Sequence, residues 1–155
     1  MSKAINETDE INETNDSLSS IYVPLRLAYG LVPLIAGFDK FVGVLVDWES
    51  YLPSLATDLL PLAPASLMMI VGVIEIVAGL AVLTMLTRLG AYVVMAWLVL
   101  ISIMVILSGH YDIAVRDLVM AVGAYVLGQV AALRGEPWLP KLGVTQGAQA
   151  HASTP

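Results

Sequence analysis

The chain has 155 residues, 58% hydrophobic and 13% charged, with a mean hydropathy of +0.83. These values exclude an ordinary soluble globular domain and point to a membrane. The formal net charge is -6, no nucleic-acid partner is expected, and the absence of cysteine excludes disulfides, thiolate nucleophiles and cysteine-ligated clusters as chemistry borne by the chain.

The opening "MSKAINETDEINETND" carries five acidic residues and one lysine and has little apolar content. Residues 1–20 therefore read as a disordered acidic tail, with "INETDE" and "INETND" as a low-complexity echo. The sequons at Asn6 and Asn12 matter only in a secretory lumen, and the topology below sets them on the other side. The segment lacks the basic n-region and early apolar stretch of a signal peptide, so the first span is expected to act as the insertion signal.

From Val23 to Leu133 the apolar content suffices for four spans at about 20 residues each. The fold class is accordingly all-α: a polytopic membrane protein with one four-transmembrane-helix bundle over residues 21–134. The spans are expected at about 22–46, 66–85, 89–107 and 113–133. Between the first two, "DWESYLPSLATDLLPLAPAS" contains three prolines and paired aromatics and reads as an interfacial loop with a short helix on the membrane. Residues 135–155 read as a flexible tail.

Basic residues outside the hydrocarbon collect on the cytoplasmic side. Lys3, Arg26, Arg88, Arg134 and Lys141 fall on one side if both termini are inside, while the first loop offers only Asp47, Glu49 and Asp58. Both termini are expected to be cytoplasmic, in the inner membrane of a bacterial or archaeal cell.

Charge inside the spans is the chemically informative feature. "GFDKFVG" sets Asp39 and Lys40 in the outer half of the first span, Glu75 falls near the midplane of the second, and Arg116 and Asp117 stand near the outer end of the fourth. An ionised side chain at the bilayer centre costs about 2.5–3.5 kcal/mol on insertion scales, so such groups face the interior and pair. Asp39, Lys40, Glu75, Arg116 and Asp117 are expected to form one buried network, with Asp39 approaching Arg116. Lys40 either approaches Glu75 or snorkels to the interface. Glu75, the deepest carboxylate, is the one expected to hold a proton. Gly72 and Gly79 flank it at helical spacing and allow a neighbouring helix to come close. Arg26, His110 and Asp112 are further candidates. His110 lacks ligand spacing, so no metal is expected, and a haem site with two axial histidines is disfavoured because His151 lies in the tail. Trp48, Trp97 and Trp138 read as interface markers. A network of this kind either fixes which helix packs on which or forms a site, and the sequence leaves both open.

These residues resemble the DoxX family of small four-span membrane proteins. The resemblance is carried by "RLAYGLVPLIAGFDKF", "GVIEIVAGLAVL" and "YDIAVRDLVMAVGAYVLG", over roughly residues 26–128. It implies a four-helix bundle, and some relatives are membrane subunits linked to quinone-reducing sulfur oxidation or to oxidative-stress complexes. Two functions follow. The first is an accessory subunit of a redox-related membrane assembly, with no catalysis of its own, whose charged cluster binds a partner or a small polar ligand. The alternative is a membrane subunit of a quinone-reducing oxidoreductase like thiosulfate:quinone oxidoreductase, with a quinone or an anion held at the cluster and Glu75 or Asp39 carrying protons. A transporter is disfavoured, since one midplane acid offers no inverted repeat.

Overall fold

In the computed structural model, described over residues 2–54, 56 and 62–139, the chain forms four long helices. They are α1 (Ser2–Val42), α2 (Pro64–Leu83), α3 (Thr87–Leu107) and α4 (Tyr111–Leu133). No strand occurs among the described residues. Each helix contains a stretch long and apolar enough to cross a membrane, beginning at Asn12 in α1. The connections α2–α3 and α3–α4 are three residues long, which forces antiparallel neighbours. Around the bundle α1 packs most extensively on α2 and α3 on α4, with narrower α2–α3 and α1–α4 contacts closing the ring.

Residues 2–20 of the expected tail are helical, because α1 already starts at Ser2. Once the span supplies a helical nucleus, each added residue costs only propagation, and acidic composition alone does not end a helix. Leu18 and Tyr22 pack into the core, so the inner part of this segment is anchored as well. The 41 residues of α1 reach roughly 60 Å, about twice a bilayer's hydrocarbon thickness. At its other end α1 stops at Val42, short of the expected residue 46, because Gly43 takes φ +65°, a left-handed conformation that terminates helices. Among its described residues the first loop contains a 3-10 turn, Trp48–Tyr51. Asp58, Lys141 and the tail from residue 140 lie outside the described residues.

The α1–α2 contact is a close backbone approach and has a sequence cause. Gly37 faces Gly72 and Gly30 faces Gly79, two heptad-spaced pairs in antiparallel register. A Cβ at Gly37 would come within 2.6 Å of the Gly72 carbonyl oxygen, and one at Gly79 within 2.6 Å of that of Gly30. The helix that Gly72 and Gly79 admit is therefore α1. Such close backbone approach maximises dispersion between helices when lipid removes the hydrophobic drive to associate.

The two ends of the bundle differ in content. Toward the chain termini (the terminal end) lies an apolar core of Tyr22, Ala78, Val82, Ala91, Val94, Ala124, Leu127, Val130 and Ala131. Toward the α1–α2 and α3–α4 connections (the loop end) the interior holds the ionisable groups Asp39, Glu75 and Asp117. Large apolar side chains such as Val32, Phe38, Val77, Val119 and Val122 cover the outside, as lipid contact requires.

Candidate functional site

The site begins with the adjacent pair Asp39 and Lys40, which project about 100° apart on α1 and therefore face different partners. Lys40 reaches across to α2, where its Nζ lies 2.6 Å from Glu75 Oε2. Its stem passes over Gly72, which has no side chain to block it. The Lys40 and Glu75 side chains are only 3% and 9% exposed. In this setting the attraction is strong, but it repays desolvation only while both partners are present.

Asp39 turns instead to the first loop. Its carboxylate accepts hydrogen bonds from the backbone N–H of Val44 (2.9 Å) and Leu45 (3.0 Å) and from Trp48 Nε1 (2.7 Å). It thereby satisfies backbone donors just beyond the helix end and folds the loop back over the bundle. Trp48 joins the two halves of the pair. Its N–H goes to Asp39 while its ring lies under the Lys40 ammonium, 3.7 Å from the centroid.

Two further helices reach the same region. Trp97, in the middle of α3, directs a buried Nε1 at the Glu75 carboxylate, too far or too oblique for a well-formed hydrogen bond but close enough to act on it. Asp117 on α4 is buried and close enough to act on Glu75 through its charge. All four helices thus converge on Glu75: Lys40 from α1, Glu75 itself from α2, Trp97 from α3 and Asp117 from α4.

The single five-membered network is replaced by a smaller one. Arg116 does not pair with Asp39; its side chain is 66% exposed, and among the described residues its ion pair is with Asp117, at 3.7 Å, a long contact between chain neighbours. The cause is helical phase, since Asp117 points inward and Arg116 one position earlier points outward. Arg26 sits at the terminal end, away from the cluster. It caps α2 by donating to the carbonyls of Val82 (3.1 Å), Leu83 (2.8 Å) and Thr84 (2.7 Å). A guanidinium there complements the negative end of the helix dipole. His110 precedes α4 with its ring edge-on to Tyr51 and its Nδ1 buried without a partner, and Asp112 is exposed in the first turn of α4. Neither joins the cluster, and no group of three or more metal-ligating side chains gathers among the described residues.

Trp48 and Trp97 are site residues that the sequence marks only as interface aromatics. For Trp97 a signal was available: it lies ten residues from either end of α3, too deep for an interfacial anchor. For Trp48 there was none, because its contacts depend on the fold-back of the loop.

Fold and site together define a multi-pass integral membrane protein, a four-helix bundle with a charged centre in one half. Compared with family models, curated proteins and solved structures, the chain matches none.

Proposed function

We propose that the chain is a DoxX-like accessory subunit of a redox-related inner-membrane assembly, in which the charged centre holds the outer half of the bundle in the shape a partner subunit recognises. The observation that carries this reading is the closure of the Lys40–Glu75 pair: both side chains are nearly inaccessible and Trp48 covers the ammonium. A pair so enclosed acts on its surroundings by fixing the first loop, which Asp39 and Trp48 hold in place. Both termini are cytoplasmic on this reading, since Arg88, Arg134 and Lys141 oppose a first loop without a basic residue.

A quinone-reducing oxidoreductase subunit is the second reading, and Trp97 favours it. A buried indole N–H directed at Glu75 without a well-formed hydrogen bond to it is a donor that a carbonyl oxygen could take over, with the Glu75 and Asp117 carboxyl groups nearby. Purification of the full chain from its own membrane in mild detergent distinguishes the two. The accessory reading expects a stoichiometric protein partner, released by Asp39→Asn, and no quinone that depends on the cluster. Stoichiometric quinone that is lost on Trp97→Phe, from a chain that remains folded, overturns it in favour of the second.

A further inference from the structure

At the terminal end three arginines come from three elements: Arg26 from α1, Arg88 from the first turn of α3 and Arg134 from the end of α4. None has a carboxylate within ion-pair distance, for the ion pairs among the described residues are Lys40–Glu75 and Arg116–Asp117. Arg26 spends its donors on the carbonyls that end α2. The other two keep donors in reserve. Arg134 gives Nη1 to Ser19 Oγ at 2.7 Å while its guanidinium lies 4.5 Å from the Tyr22 centroid. Arg88 makes one long bond, Nη1 to the Glu136 carbonyl at 3.3 Å, and its Nε is buried with no partner. Its guanidinium lies 4.1 Å from the Trp138 centroid, and Trp138 stacks in turn on Tyr92.

We propose that Arg88 and Arg134 form a binding site for the phosphate of an anionic phospholipid at the terminal-end rim. The two flank Glu136, one hydrogen-bonded to its carbonyl and the other two residues before it in the chain. Aromatic rings hold both guanidinium planes, so little rotamer entropy remains to be lost when the phosphate docks. The surroundings suit a lipid rather than a free ion. Trp138 is half exposed, as at a headgroup level, and Leu133, Leu139 and Met85 present bare apolar surface for acyl chains. The nearby acids, Glu136 facing the Tyr22 hydroxyl and Asp16 and Glu13 one and two turns farther out on α1 than Ser19, match the three arginines in formal charge, so the site rests on its ring-held guanidinium forks rather than on net charge. This inference is independent of the redox reading.

The test is native mass spectrometry of the full chain in detergent with equal amounts of phosphatidylglycerol and phosphatidylcholine. Preferential retention of phosphatidylglycerol is expected, falling about fivefold for each of Arg88→Gln and Arg134→Gln. Arg116→Gln, at the opposite end and exposed, should leave it unchanged. The double variant Arg88→Lys with Arg134→Lys keeps the charge but loses the planar fork, and should recover only part of the preference. Equal retention of both lipids overturns the proposal, as does an equal loss with Arg116→Gln or full recovery with lysines. Displacement of the retained lipid by inorganic phosphate would show a site for a free anion instead.

Discussion

In the terminal half of the bundle the interior is apolar and the charges stand at the rim, where Arg26 caps carbonyls and Arg88 and Arg134 lie on aromatic rings. The loop half reverses this: Lys40, Glu75, Asp39 and Asp117 lie inside, while Arg116 is left outside. The first half has no interior charge to offset: alanine, valine and leucine dominate it, and the buried Tyr22 hydroxyl donates to that of Thr87. In the second half each charge requires a specific neighbour, so the arrangement of side chains is dictated more tightly than packing alone demands. The comparison predicts that the loop half is sensitive to the removal of single partners and the terminal half to the removal of caps.

The largest effect is expected at the ion pair. Lys40→Met or Glu75→Gln alone strands the other charge, or a buried polar group, and should lower stability in detergent by about 3–5 kcal/mol. The double substitution Lys40→Met with Glu75→Leu should recover most of that loss. Additive losses in a double-mutant cycle of unfolding measurements would mean that the pair does not couple, and the contrast between the halves would fail. Arg26→Gln comes next, at about 1–3 kcal/mol, because three carbonyls at the end of α2 lose a charged donor. Arg26→Lys should not restore it, since an ammonium cannot span all three, and the same unfolding measurement checks this.

Tyr29 ties α1 to α4, its hydroxyl donating to the Met120 carbonyl at 2.8 Å. Tyr29→Phe should cost about 0.5–1.5 kcal/mol, since it removes one neutral hydrogen bond and keeps the ring. The smallest effect is expected for Arg116→Gln. An exposed arginine with one long contact should shift stability by less than about 0.5 kcal/mol. A larger loss would place Arg116 in a contact beyond its neighbour Asp117.

The architecture was legible because its causes are local. Apolar runs of about 20 residues with short polar breaks admit only helices in lipid, where every backbone group must be satisfied within its own segment. The spacing of Gly72 and Gly79 likewise announced a close helix neighbour, though not which one. The extent of α1 was not legible: the acidic composition of residues 2–20 describes solvation, whereas continuation of a helix depends on the stable turns of the adjoining span.

Sequence alone determined that a charge set inside a span, at Asp39, Lys40, Glu75, Arg116 or Asp117, needs either a partner or a way out of the hydrocarbon, because the cost of a lone charge there is a property of the residue. Only the tertiary structure decided who those partners are. Lys40 pairs with Glu75 because the Gly37–Gly72 contact brings the two backbones together and leaves a path for the lysine stem. Asp39 pairs with backbone and Trp48 rather than with Arg116 because Gly43 turns the chain back at the end of α1, bringing donors within reach before any group on α4. Residues adjacent in the chain are thus separated by helical phase, and residues 35 positions apart are joined by a missing side chain. Spacing along one helix gives phase, but contact between helices depends on register and approach distance, which belong to the assembled bundle.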